Sequence, residues 1–192
     1  NYIRKEFSIP ADAYLIGHLA RITPWKGQRV LLDAFIEYSK TNDNAYLLLI
    51  GSPLFSDSVY LKTLKKMIKN HKLENRVILP GFRTDLKELF SAMDIFVYPS
   101  IKKDTSPLAL LSAICFGLPT IVSNIRSLKE VVDSCPSIDV FNIRNKNKLI
   151  LLLKKHENLD IRQVNGNKNK IFGQKNFDIV AHANKIYKFL NL

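Results

Sequence analysis

Tyr14-Leu-Ile-Gly-His-Leu-Ala-Arg-Ile-Thr-Pro-Trp-Lys-Gly27 sets the pattern of the whole chain. Its first six residues form an apolar run of strand length, and a polar loop carrying Arg21 and Lys26 follows. Gly27 then opens a segment to Lys40 in which Val30, Leu31, Ala34, Phe35 and Tyr38 recur at helical spacing. The same unit returns along the sequence. Ala45 to Ile50 reads as a strand before a helix from Ser58 to Lys72 with Leu61, Leu64 and Ile68 inward. Val77 to Leu79 precedes a short helix from Asp85 to Met93, and Asp94 to Tyr98 precedes a helix from Pro107 to Phe116. Thr120 to Val122 is a fifth strand, with a sixth expected near Ile138 to Phe141. Strands that are apolar throughout, alternating with amphipathic helices, give an α/β protein: a doubly wound, mostly parallel sheet of about six strands covered on both faces. Such sheets bind ligands at the carboxyl ends of their strands.

At 192 residues, with 46% apolar and 24% charged content, the chain is an ordinary folded protein rather than a disordered one. The Asn- and Lys-rich stretch after Asn142 makes Val164 to Lys170 read as a mobile linker before a closing helix from about Phe177 to Leu190. That divides the chain into residues 1–175, the α/β domain, and residues 176–192, the closing helix. Thr105 to Ile125 is uncharged and long enough to span a membrane, but Pro107, Gly117 and Pro119 break it into a helix and a buried strand. Cys115 and Cys135 cannot build a disulfide framework and lack metal-ligand spacing, which fits a reducing, cytoplasmic setting, and no targeting segment is visible. The four histidines show no metal spacing either. Net charge is +12, which implies anionic partners such as phosphorylated small molecules or an acidic membrane face. No aromatic-basic stacking pattern accompanies the charge, so nucleic acid is not an expected partner.

Two segments carry candidate chemistry. Arg21 and Lys26 lie above a strand end, where two cations can grip a polyanion such as a diphosphate through charge-assisted bonds. Neither a Walker loop nor a Gly-x-Gly-x-x-Gly fingerprint is present. Tyr98-Pro-Ser-Ile-Lys-Lys-Asp-Thr-Ser106 leads into a helix expected to be capped by Ser106 with Pro107 at its first position. The free N–H groups near Leu108 and Ala109 would form an anion site on the same edge of the sheet. Asp104 is the nearby carboxylate, His18 lies at the strand end below the loop, and Trp25 reads as a packed loop residue.

Five segments, in order, resemble one known family. Ala20-Arg-Ile22 with Lys26-Gly27, Leu48-Leu-Ile-Gly51, Arg76-Val-Ile-Leu-Pro-Gly-Phe82, Leu89 to Ser100 and Ala113 to Ser123 are similar to the C-terminal, nucleotide-sugar-binding domain of family 4 glycosyltransferases. These are retaining enzymes with two facing Rossmann-like domains, the GT-B fold. The resemblance implies transfer of a sugar from a UDP- or GDP-linked donor to a glycan or lipid-linked acceptor held by an N-terminal domain. It implies no metal and no further cofactor, and it implies a Rossmann-like domain in residues 1–175 with residues 176–192 as a helix packing back toward that N-terminal domain. Arg21 and Lys26 match the residues that bind the donor diphosphate and stabilise it as leaving group. The stretch from Val77 to Gly81 matches the part that holds the base, and Ser106, Leu108 and Ala109 the helix start that donates to phosphate.

The family's paired glutamates fall on Asp104 and Ser112, which the resemblance places at the transferred sugar and at the ribose. Asp104 keeps the charge on a shorter side chain. Ser112 cannot grip a diol bidentately, and a lost charged hydrogen bond costs about 1.5–3 kcal/mol, or roughly ten- to a hundredfold in affinity. Since the resemblance covers only the donor half of such an enzyme, a donor half-site with little or no activity by itself is expected. A non-catalytic nucleotide-sugar-binding module or inactive subunit is the alternative.

Overall fold

Burial on both faces is what the apolar runs dictate, and the computed structural model places them in the middle of the molecule. It describes residues 2–54, 57–102, 104, 107–135 and 137–177. The chain runs α1 (Tyr2–Glu6), β1 (Tyr14–Leu19), α2 (Gln28–Tyr38), β2 (Ala45–Ile50), α3 (Ser58–Asn70), β3 (Val77–Gly81) and α4 (Leu86–Ala92). It continues through β4 (Ile95–Tyr98), α5 (Leu108–Cys115), β5 (Thr120–Ser123), α6 (Lys129–Ser134), β6 (Ile138–Phe141), α7 (Lys146–Lys155) and α8 (Leu159–Phe177). The six strands form one sheet in the order β3-β2-β1-β4-β5-β6, and every neighbouring pair is parallel. This is the Rossmann-like arrangement expected from the alternation, and it includes the sixth strand at Ile138–Phe141.

Alternate residues of each strand feed two cores. Ile16, Leu47 and Leu49 pack under α2, α3 and α7 with Leu31, Phe35, Leu64 and Leu153. Leu15, Leu48 and Ile50 face the other way, under α1, α4 and α5 with Ile3, Phe90 and Leu110. Each such side chain, fully withdrawn from water, contributes about 1.5–3 kcal/mol of transfer free energy. Strand order reverses between β1 and β4, so the carboxyl ends of these two strands frame a crevice.

One sequence expectation fails outright. Val164 to Lys170 is not a linker; it lies within α8, a helix of 19 residues. The buried residues of α8 are Gly166, Asn169 and Gly173, with Phe172 and Phe177 packed partly buried against the core, so its apolar pattern is too sparse to announce a helix. A Cβ on Gly166 would stand 2.3 Å from the Gly117 carbonyl oxygen, so the backbones of α8 and the α5–β5 turn meet directly. Asn169 is fully buried, and its Nδ2 donates to the Leu118 carbonyl at 2.6 Å while its Oδ1 accepts from the Ser137 hydroxyl at 2.5 Å. Paired polar groups thus take up part of that face. The closing helix expected from about Phe177 to Leu190 lies, beyond Phe177, outside the described residues.

A second feature had no sequence signal. α1 docks on α4 through Arg4, whose guanidinium donates to the carbonyls of Ala92, Pro10, Ala11 and Ala13 and pairs with Asp94 at 2.8 Å. Asp94 in turn accepts from the Leu15 amide, which ties the start of β1 to the start of β4. The uncharged stretch from Thr105 to Ile125 divides as expected into α5 and β5, and among the described residues no helix is long and apolar enough to cross a membrane.

Candidate active site

The loop after β1 is shaped by what it must lie against. Pro24–Lys26 form a 3-10 turn that ends on Gly27 in the left-handed region, φ 76°, and Gly27 is also the cap of α2. A Cβ at Gly27 would lie 1.9 Å from the Pro99 carbonyl oxygen, so only glycine lets the loop settle on the end of β4. The Ile101 amide donates to the Trp25 carbonyl at 2.7 Å, and the buried Gln28 side chain donates to the Arg21 carbonyl at 2.8 Å. These contacts fix the backbone from Arg21 to Gly27 across the β1–β4 crevice.

That placement delivers Lys26 to the end of β4. Its Nζ lies 2.5 Å from Asp104 Oδ2, and the Tyr98 and Ser100 hydroxyls donate to the same oxygen at 2.6 Å and 3.1 Å. Lys26 also stands over the Tyr98 ring, 5.7 Å from its centroid. The Asp104 amide donates to Ser127 Oγ at 2.9 Å, and the Ser123 hydroxyl donates to the Ser100 carbonyl at 2.6 Å. Three strand-end loops therefore converge on one carboxylate. Burial pushes the Asp104 pKa up, but the bonds from Lys26 and Tyr98 outweigh it, and the carboxyl is held below its ordinary range. Burial and the neighbouring carboxylate raise the Tyr98 phenol, so it stays a neutral donor.

Arg21 is on the same loop, but its guanidinium lies over the Trp25 ring at 5.3 Å from the centroid. Trp25 is correspondingly half-exposed rather than packed inside. His18 is fully buried; its Nδ1 donates to the Val97 carbonyl at 2.9 Å, and burial lowers its pKa to about 4. It is a neutral wall under the crevice and has no open path to a ligand.

The remaining expected residues divide. α5 begins at Leu108, with Pro107 as the cap rather than the first helical residue, because its ψ of 50° is non-helical. The Leu111 amide bonds back to Pro107, and the N–H groups of Leu108 and Ala109, which precede it in the first turn, have no partner within the helix among the described residues. Ser106 lies outside the described residues. Ser112 sits half-buried one turn along α5. Gly81 ends β3 at the same sheet edge, where its carbonyl accepts from the Gly51 amide. Val77 does not belong with it. It opens β3, pairs with Leu47 and is buried in the core, about 13 Å of strand away from the rim. Tyr98, Ser100 and Ser127, which orient Asp104, escaped sequence reading. A tyrosine closing an otherwise apolar strand was the one signal available for them.

Comparison with known proteins converges on one family. A family model described as glycosyl transferases group 1 matches residues 1–170. The O-antigen biosynthesis glycosyltransferase WclY of Escherichia coli is 32% identical over 166 residues, which cover 81% of this chain and 44% of WclY. The crystal structure of Anabaena HepE in complex with UDP shares the fold with a TM-score of 0.90 at 24% identity, over 99% of this chain and 51% of HepE. The C-terminal domain of the group 1 protein LpcC from Francisella tularensis does so at 0.80 and 20% identity, over 91% of each chain. The chain spans about half the length of WclY and HepE. With the model match running over most of its length and the GT-B-type Rossmann-like sheet beneath it, the chain belongs to the glycosyl transferases group 1 family.

Proposed function

We propose that this chain is the donor-binding half of a retaining, family 4 type glycosyltransferase that takes a UDP- or GDP-linked sugar. The observation that carries the reading is the convergence of Lys26, Tyr98, Ser100 and Asp104 at the β1–β4 switch point, beside the open first turn of α5. HepE's complex with UDP favours a uridine donor.

Transfer requires negative charge to be taken up on the departing diphosphate. Lys26, Arg21 and the Leu108 and Ala109 amides supply fixed positive charge for it, which is electrostatic stabilisation by preorganised groups. Lys26 exchanges Asp104 for phosphate when the donor arrives, and the released carboxylate then faces the sugar. Ser112 leaves the ribose without an acidic partner. Gly81 lines the base end. The acceptor, a glycan or lipid-linked sugar, belongs to the other half of the enzyme, so the chain by itself binds donor and transfers little. Work on a lipid-linked acceptor would place the enzyme in the cytoplasm at the inner membrane face.

A second reading, a nucleotide-sugar-binding module without transfer activity, draws on Ser112 and on the ion pair that closes Lys26. Calorimetry with UDP, GDP and their sugars tests the donor site. Lys26→Ala and Arg21→Ala should each weaken donor binding roughly tenfold or more. Unchanged affinity in both would refute the phosphate grip. Joining the chain to the other half of its enzyme and assaying transfer separates the two readings.

A further inference from the structure

Next to Asp104, on the β5 side, the same sheet edge holds a second recess. A cavity of about 660 Å³ opens between the loops that follow β4 and β5, lined among the described residues by Ile101, Lys102, Ile125, Arg126 and Ser127. The volume falls within the usual range of small-molecule sites, about 300–1,000 Å³. It is joined to the candidate active site at two points. Ser127 accepts from the Asp104 amide, and the Ile101 amide donates to Trp25 in the loop that carries Lys26. The Ser123–Ser100 bond ties the two strand-end loops together beside it.

Its charge is one-sided. Lys102 and Arg126 have no ion-pair partner among the described residues, and none of the five lining residues is acidic. By contrast Lys26, one loop away, is already matched by Asp104. Two unmatched cations lining a concave wall favour an anion, and a guanidinium offers a planar fork that fits carboxylate or phosphate oxygens. Ile101 and Ile125 supply apolar wall for the carbon skeleton that carries the anion.

We infer that this cavity is a subsite for an anionic group, a carboxylate or a phosphate, borne by the saccharide that Asp104 faces. The inference rests on the proposed donor site, since that is what puts a saccharide at Asp104. The anion has two possible bearers, the transferred sugar or a separate phosphorylated saccharide, and the same chain can report on both.

Calorimetry with UDP, UDP-glucose and UDP-glucuronate tests the first bearer. Amide chemical shifts of Arg126 and Ser127 during titration with glucose 6-phosphate test the second. The control is the double variant Lys102→Gln/Arg126→Gln, whose surface positions leave the core intact. A transferred-sugar anion appears as UDP-glucuronate binding about tenfold tighter than UDP-glucose, with the preference lost in the double variant and UDP affinity unaltered. A separate phosphorylated saccharide appears as equal affinity for the two nucleotide sugars, with saturable shifts for glucose 6-phosphate that vanish in the variant. Absence of both effects overturns the subsite. If UDP itself fails to bind, the donor reading falls, and the glucose 6-phosphate titration still decides whether the cavity takes anions.

Discussion

Mild acid should destabilise this protein through His18, in a pH window that opens above that of its carboxylates. The imidazole is fully buried between β1 and β4, it spends its one N–H on the Val97 carbonyl, and its Nε2 has no partner among the described residues. Protonation would place a charge in that setting, near the Lys26 cation, which is why the pKa falls from 6.5 to about 4. The unfolded chain therefore binds a proton that the folded chain refuses, and stability rises with pH between those two values. It is fully present above pH 6.5 and lost as pH drops toward 4. From neutral pH to about pH 4.5 the loss amounts to about 2 kcal/mol. The depressed carboxyls of Asp104, Asp139, Asp85, Glu6 and Glu37 act in the same direction but around and below their ordinary values of 3.8 to 4.5. The upper part of the fall, starting near pH 6.5, therefore belongs to the histidine. Urea unfolding at several pH values, on the wild type and on His18→Gln, isolates the histidine because glutamine keeps a donor and does not titrate. The wild type should lose stability more steeply over this range. Parallel pH profiles, or a His18 imidazole resonance of folded protein that titrates near 6.5, would refute the reasoning. The resonance can be read even if the variant folds poorly.

Three further outcomes follow from the packing and the site. Tyr98→Phe removes a donor 2.6 Å from Asp104 and should cost about 1 kcal/mol. It should also raise the Asp104 pKa, read by carboxyl carbon resonance titration, and a pKa that stays put would show that Tyr98 does not tune the carboxylate. Gly166→Ala should destabilise by about 1–3 kcal/mol, although alanine is worth up to about 1 kcal/mol over glycine inside a helix, because the new methyl meets the Gly117 carbonyl. A raised urea midpoint would contradict the close approach of α8. Arg4→Ala should cost about 2–3 kcal/mol by leaving Asp94 and four carbonyls without their donor, with Arg4→Lys restoring little because an ammonium cannot fork. Equal midpoints for wild type and Arg4→Ala would show that α1 is not held through this side chain.

What the sequence discloses depends on whether a residue acts by being buried or by being opposite something. Strands and amphipathic helices are legible because their apolar periods are local. Leu47, Leu48 and Leu49 name a strand buried on both faces before any neighbour is known. α8 is hard to read by the same rule, since Gly166, Asn169 and Gly173 make contact through backbone approach and hydrogen bonds and only Phe172 and Phe177 add an apolar trace near its end. The site is a third case. Lys26 and Asp104 are 78 positions apart, and they meet because β1 and β4 are neighbours although two strands intervene in the chain. Ser127 joins them because β5 is next in the sheet. Strand order is a quantity that local pattern does not encode. Until it is known, a hydroxyl after an apolar strand is only a polar strand end. Once it is known, every strand that ends at the β1–β4 crevice has its last polar residues close to the same anion. The same logic removes Val77 from the site. Motif adjacency placed it beside Gly81, but an extended strand carries its first residue to the opposite edge of the sheet from its last, and the edge that binds is fixed by the direction all six strands share.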